Sequence, residues 1–422
     1  MVTVALHTLG CKVNACESEK IEASLKEAGF LIVPFSSSAD VYIVNTCSVT
    51  NIADRKSRQL LHRAKKLNPD ALIIAAGCYV NTRGREEVTA DPLVDLAFSN
   101  EEKTGICAFL KERFSNRLSS EGAADTSLFS LEHTRVFLKV QDGCDMFCSY
   151  CVIPYARGRI KSIPEAELIR EVTSLASHGY REFILTGIHL SSYGKDLPEG
   201  KTDLMTLIRS LSGISGVRRL RLGSLEPGII TEDFARFLSE IPALCPHFHL
   251  SLQSGSDSVL KRMNRKYDTK RYAESVKLLR QYFDDPAITT DVIVGFPGES
   301  DTEFEETVSF LKRIGFYETH VFQYSRRAGT AADRMPGQLS SGVKAEREKV
   351  LLRMTEERRK AYADSRIGKD AEVLFEENNE GYTKEYIRVR CMNPDAVNGS
   401  ILYGTITGRE NNRLMSFEPR QL

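Results

Sequence analysis

No stretch of this 422-residue chain comes near the roughly 18 consecutive apolar residues that a membrane-spanning helix needs. A membrane protein is not expected. Net charge is also missing, because 57 Lys and Arg are offset by 57 Asp and Glu. A polyanionic partner would therefore have to be met by a local basic surface, not by a global field. The opening Met1-Val2-Thr3-Val4-Ala5-Leu6-His7 has neither the basic segment nor the long apolar segment of a secretory leader, so a cytoplasmic location is expected. Low-complexity tracts and fixed-period repeats are absent as well, which sets aside disordered and solenoid architectures.

What is present is a globular balance of 41% hydrophobic and 27% charged residues, in a chain long enough for two or three domains. Short apolar runs at Val4 to His7, Val41 to Val44 and Ala71 to Ala76, each followed by a turn and a helical pattern, predict an open parallel-sheet α/β domain over 1–114. Its first helix is expected near Glu17 to Ala28, closed by Gly29. A linker without periodicity is expected over 115–133. Six further strand–helix alternations then predict a partial (β/α)6 barrel over 134–366, with its working end at the C-terminal strand ends. Short strands in 367–422 predict a small all-β barrel.

Ten cysteines in a reducing compartment point to metal binding or catalysis before disulfides. The densest group is Cys144-Asp145-Met146-Phe147-Cys148-Ser149-Tyr150-Cys151, three thiols in one short loop after the barrel's first expected strand. Soft thiolates select iron–sulfur clusters or zinc, and a four-iron cube held by three cysteines keeps one iron open to a small chelating molecule. Zinc wants a fourth ligand, and the nearest histidine, His133, lies upstream beyond a strand. A second group is dispersed: Cys11, Cys47 and Cys78 each follow an expected strand by a few residues. In an open parallel sheet such positions share one crevice, so a second three-thiolate centre is expected there. The plainer reading, that each is a small buried hydrophobe, suits Cys16, Cys107, Cys245 and Cys391 better. Cys16, one helical turn from Cys11, is the exception, close enough in sequence to compete as a ligand.

The Cys-x₃-Cys-x₂-Cys loop resembles the radical S-adenosylmethionine (SAM) superfamily. With both cysteine groups and the three-part order, the chain resembles the methylthiotransferase family of radical SAM enzymes over nearly its whole length. That resemblance implies an N-terminal methylthiotransferase domain, a radical SAM barrel and a C-terminal TRAM barrel. It implies two [4Fe-4S] clusters, an auxiliary one on Cys11, Cys47 and Cys78 and a radical-generating one on Cys144, Cys148 and Cys151. It also implies that one SAM methylates sulfur carried at the auxiliary cluster while a second supplies the radical. The SAM contacts it implies by position are Thr186, Gly187, Glu226, Gln253, Asp291 and Gly295. The strings Gly10-Cys11-Lys12-Val13-Asn14 and Asn45-Thr46-Cys47-Ser48-Val49-Thr50-Asn51 resemble the branch acting on threonylcarbamoyladenosine beside the tRNA anticodon. Ala15-Cys16 departs from the usual Gln-Tyr.

A tRNA partner calls for basic surfaces. Asp54 to Lys66 carries six basic residues against one acid, including Arg55, Lys56 and Arg58. Arg157 and Arg159 follow the cysteine loop, and Arg388 and Arg390 lie in a tail that holds seven basic residues against nine acidic ones. An electron donor and a sulfur source are further expected partners, of unknown identity. The rival readings are the same chemistry on isopentenyladenosine tRNA or on a ribosomal-protein aspartate, and, from another class, a non-catalytic iron–sulfur RNA-binding protein.

Overall fold

The computed structural model describes residues 1–118, 135–198, 202–391 and 399–420, so most of the expected linker lies outside the described residues. The chain forms two compact units, neither of which is one continuous stretch. The first gathers Met1–Ser130, Asp142–Ile160 and Ser325–Asp333, and the second gathers Leu131–Gln141, Lys161–Tyr324 and Arg334–Leu422.

In the first unit, β1 (Thr3–Thr8), β2 (Leu31–Val33), β3 (Val41–Thr46), β4 (Leu72–Gly77) and β5 (Leu96–Phe98) form one parallel sheet in the order β2-β1-β3-β4-β5. β3 is central and all six of its residues are buried, as expected of a parallel strand covered on both faces. Alternate side chains feed two cores: Tyr42 and Val44 pack with Leu61 and Ile73, whereas Val41 and Ile43 pack with Leu25, Ile74 and Ile106. Each such side chain contributes about 1.5–3 kcal/mol on burial. The helix Asn51–Leu67 starts where the Thr50 hydroxyl accepts the Ala53 N–H. The first helix runs Lys12–Glu27, one turn earlier than its expected start. Cys11 is its N-cap and makes no side-chain cap bond, so no capping signal marked the boundary.

In the second unit, β6 (Arg135–Asp142, its last residue counted in the first unit), β7 (Lys161–Ser162), β8 (Glu182–Gly187) and β9 (Arg219–Leu222) form a sheet in the order β7-β6-β8-β9. β10 (His247–His249), β11 (Ala287–Val294) and β12 (Glu318–Gln323) form another, in that order. Parallel bridges Leu220 to Leu244 and Leu225 to Leu250 join β9 to the β10 segment. Six parallel strands with helices between them thus make the expected partial barrel. The tail strands β13 (Asp370–Phe375), β14 (Glu380–Thr383), β15 (Arg388–Cys391), β16 (Ile401–Asn411) and β17 (Leu414–Pro419) close into a barrel in the order β13-β14-β15-β17-β16. Val373, Phe375, Val389, Ile406 and Phe417 fill it. β15 begins only at Arg388, because Tyr386 takes φ +71°, a left-handed turn that a strand cannot continue through.

Buried ion pairs fix the barrel floor within this unit. Glu182 on β8 meets Arg219 at 3.3 Å and Arg221 at 3.1 Å, both on β9. Arg219 goes on to Glu372 at 2.7 Å and to the Tyr382 carbonyl at 2.9 Å, while Arg221 reaches the Lys384 carbonyl at 2.9 Å. Among the described residues no helix is long and apolar enough to cross a membrane.

Candidate metal and cofactor sites

β1, β3 and β4 are neighbours in the first sheet, and Cys11, Cys47 and Cys78 follow their C-terminal ends. Cys11 caps the helix Lys12–Glu27, Cys47 comes directly after β3, and Cys78 is the first residue of the helix Cys78–Arg83. Two glycines make this approach possible. Gly10 has φ +99°, and a Cβ there would lie 2.8 Å from the Cys47 Sγ. Gly77 also has φ +99°, and a Cβ there would lie 2.9 Å from the Asn45 Oδ1 and the Lys103 Nζ. Asn14 ties the strand ends together, donating to the Leu9 carbonyl at 2.7 Å and the Thr46 carbonyl at 2.9 Å.

Burial, with smaller contributions from the neighbouring Cys78 and Cys11, pushes the Cys47 thiol up to about 11 against the opposing Val49 N–H and Arg157. A thiol buried like that of Cys47 ionises readily only when a cationic centre binds it. The donor set therefore fits a thiolate-ligated metal cluster. Positive charge is built in beside it. Lys103, with a side chain 3% exposed, donates to Glu17 at 2.7 Å. Asn100 directs its Nδ2 at the Cys78 Sγ, 3.5 Å away, and donates to the Ala156 carbonyl at 2.8 Å.

The Cys144, Cys148 and Cys151 loop belongs to the same compact unit. It is tightly wound: the Cys144 N–H donates to the Gly158 carbonyl at 3.1 Å, the Cys151 N–H to the Cys148 carbonyl at 3.0 Å, and the Met146 N–H points at the Cys144 Sγ at 3.4 Å. Phe147 takes φ +45°, a conformation uncommon for a non-glycine residue, which turns the chain between the first two cysteines. Gly143 has no room for a side chain, since a Cβ would fall 1.9 Å from the Arg159 carbonyl oxygen. An N–H donated to sulfur and backbone turns that present three thiols from one loop suit a three-cysteine cluster.

Arg157 is expected from sequence to contact RNA, and the structure corrects this. Its side chain is 1% exposed. Nη1 donates to Glu17 and to Asp142, each at 3.0 Å, and Nη2 donates to Asn14. Burial opposes its charge, yet Cys78, Asp142 and Glu17 together hold the guanidinium above the ordinary arginine value. Arg159, by contrast, is 71% exposed, pairs with Asp145 at 3.0 Å and lies over the Phe147 ring. Arg55 and Lys56 are exposed on the helix Asn51–Leu67, and Arg58 is half-buried, with Tyr79 as a partner. Arg388 and Arg390 both pair with Glu380, and Arg390 also with Glu410 at 2.7 Å, so their charge is largely offset within the barrel.

In the second unit, Thr186 is buried on β8 and Gly187 ends that strand, where a Cβ would meet the Gln141 Oε1 at 2.9 Å. Glu226 is held by Arg265, and burial nonetheless raises its carboxyl above the usual range. Gln253 sits at φ +71°, donating its N–H to the Asp291 carbonyl at 2.8 Å and accepting the Ile293 N–H at 2.9 Å. Gly295, at φ +71°, donates to Glu299 at 2.6 Å. The Asp291 carboxylate turns to His249 at 3.3 Å. His189, His249, His320 and Arg265 escaped the sequence reading. None of them belongs to a recognisable motif: strand register gives His249 and His320 their neighbours, and loop packing brings Arg265 to Glu226.

The Radical SAM superfamily matches residues 138–311, and a family described as uncharacterized, UPF0004, matches 3–99. The threonylcarbamoyladenosine tRNA methylthiotransferase MtaB of Bacillus subtilis (strain 168) is 38% identical over 95% of this chain and 93% of its own length. The tRNA-2-methylthio-N(6)-dimethylallyladenosine synthase of Syntrophus aciditrophicus (strain SB) is 34% identical over 88% of this chain and 83% of its own length. Among solved structures, the radical SAM methyltransferase TsrM from Kitasatospora setae, with cobalamin and a [4Fe-4S] cluster bound, superposes with a TM-score of 0.56 at 16% identity, covering 78% of this chain and 77% of that one, a likeness of fold alone. With two cysteine trios in one unit and full-length relatives at this level of identity, the chain belongs to the radical SAM methylthiotransferase family.

Proposed function

We propose that this chain adds a methylthio group at C2 of N6-threonylcarbamoyladenosine in tRNA, next to the anticodon. The observation that carries the reading is the presence of both cysteine trios in one compact unit, with Arg157 from the second loop bonded to Asn14 beside Cys11. In this reading Cys11, Cys47 and Cys78 hold the auxiliary cluster, and Cys144, Cys148 and Cys151 hold the radical-generating one. The two clusters and SAM supply the radical and the sulfur, chemistry beyond ordinary acid–base groups. The protein's own part is to bind and orient. Gly187 and Gly295 leave their side-chain space to Gln141 and Lys344 and offer the cofactor backbone groups alone, Thr186, Glu226 and Gln253 offer polar contacts, and the Asp291 carbonyl fixes the Gln253 turn. Arg55 and Lys56, with Arg159, present exposed charge for phosphates.

The threonylcarbamoyl branch is favoured over the dimethylallyl branch by Lys12-Val13 after Cys11 and by the higher identity to the Bacillus subtilis relative. An electron donor and a sulfur source must come from outside the chain. Ten free cysteines suit a reducing, cytoplasmic setting. Mass spectrometry of tRNA nucleosides from cells with and without the gene tests the reading. Methylthio-threonylcarbamoyladenosine disappears if it is right, and loss of the methylthio-isopentenyl nucleoside in its place overturns it.

A further inference from the structure

Three side chains in the second unit converge, and two of them, His249 and His320, have no part in the chemistry described above. His249, Asp291 and His320 sit on β10, β11 and β12, adjacent parallel strands, in a register that sets Thr289 beside His249 and Asp291 beside His320. Their ligand atoms all lie within 4.8 Å of one another. The His249 Nε2 stands 3.3 Å from the Asp291 Oδ2, and the His249 and His320 rings stack at 5.7 Å with 24° between their planes.

We infer that His249, Asp291 and His320 form a binding site for one divalent transition-metal ion, distinct from the two cysteine trios. Two imidazoles and one carboxylate are a borderline-soft donor set that suits Zn²⁺ or Fe²⁺ better than Mg²⁺ or Ca²⁺. A simple His249–Asp291 ion pair would account for two of the three groups, but not for a second imidazole held in the same small space. The orientation of His249 adds an independent sign. Its Nδ1 faces the Thr289 hydroxyl at 3.0 Å, which leaves Nε2 turned to the Asp291 carboxylate, as outer partners of metal-binding histidines do. Thr289 and Asp291 lie on the same face of β11, whereas Thr290 on the opposite face meets the Tyr272 hydroxyl at 3.3 Å. Access is open, because His320 is exposed and the Asp291 side chain is 29% exposed. Three protein ligands leave a coordination position for water or a small oxygen ligand, the arrangement of an open site and not of a closed structural one.

The test uses the full chain with its clusters reconstituted. It is dialysed against a chelator, then against micromolar Zn²⁺, with zinc and iron counted together and the zinc environment read by X-ray absorption. One zinc per chain with a nitrogen and oxygen shell at about 2.0–2.1 Å is expected. His320→Ala should weaken that zinc at least tenfold with iron unchanged. His320→Cys should keep it and bring one sulfur into the shell at about 2.3 Å. The inference is overturned by no retained zinc, by a sulfur shell in the unaltered protein, or by equal zinc affinity in His320→Ala. None of these results bears on tRNA methylthiolation, so the two readings fail separately.

Discussion

Arg157 donates through Nη1 to Glu17 at 3.0 Å from a side chain only 1% exposed, and this pair joins the loop that carries Cys144, Cys148 and Cys151 to the helix that Cys11 begins. The same guanidinium bonds Asn14 and Asp142, so removing it takes a donor from the buried Asn14 side chain and leaves the half-buried Glu17 with Lys103 and Asp142 with the Gly143 N–H. Partners of this kind around a metal centre are typically worth about 10- to 100-fold in metal affinity or activity. Arg157→Gln should therefore lower iron per chain and methylthio transfer within that range, with Arg157→Lys intermediate. Iron analysis and electron paramagnetic resonance of the reduced clusters provide the check. Unchanged iron and spectra in Arg157→Gln would remove the proposed coupling.

Gly143→Ala places a methyl group 1.9 Å from the Arg159 carbonyl oxygen, at a φ of +67° that alanine rarely adopts. The loop should fail to close, and roughly half of the iron of a two-cluster protein should be lost. Gly158→Ala is the contrast. Its Cβ meets nothing within 4 Å, so at φ +72° and ψ −160° it carries the backbone strain alone and should lose less iron than Gly143→Ala.

Glu182 compensates Arg219 and Arg221 in the floor of the second unit. Glu182→Gln leaves two buried guanidinium groups with less counter-charge, and breaking a buried pair in this way typically costs about 3–5 kcal/mol. Urea unfolding followed by circular dichroism measures it. Burial raises the Glu182 carboxyl, but Arg221 and Arg219 outweigh that and hold it below the ordinary glutamate value. A depressed carboxyl stabilises the fold above its unfolded value of about 4.3 and loses that contribution as pH falls through the folded value. Acid unfolding of the unaltered protein should therefore be steeper on the low-pH side than that of Glu182→Gln.

The tRNA reading takes exposed Arg55 and Lys56, with Arg159, as phosphate contacts of the first unit. Each alanine substitution should weaken tRNA binding and reduce the slope of log K against log salt by about 1. Arg388→Ala, at a residue already paired with Glu380, should leave that slope nearly unchanged. Binding measured over a series of salt concentrations separates the two cases.

Most of the architecture was legible because its signals are local. Apolar runs marked β1, β3, β4 and the barrel strands, and cysteines placed just past three of those strands implied a shared crevice that the sheet order then supplies. What stayed hidden depends on distant partners. Arg157 reads as a surface cation in sequence, because Glu17, Asn14 and Asp142, which bury its charge, are remote from it or unremarkable. His249 and His320 carry no motif, and strand register alone brings them together. The interleaving of Asp142–Ile160 and Ser325–Asp333 into the first unit likewise cannot be read from a linear pattern of strands and helices.

The most direct measurement separates the two cysteine trios by product. Reconstituted protein in which Cys11, Cys47 and Cys78 are all replaced by Ala is incubated with SAM, a reductant and tRNA, and both 5′-deoxyadenosine and methylthiolated nucleoside are quantified. The account predicts continued formation of 5′-deoxyadenosine with no methylthio product, and loss of both when Cys144, Cys148 and Cys151 are replaced. Methylthio transfer that survives without Cys11, Cys47 and Cys78 would contradict it.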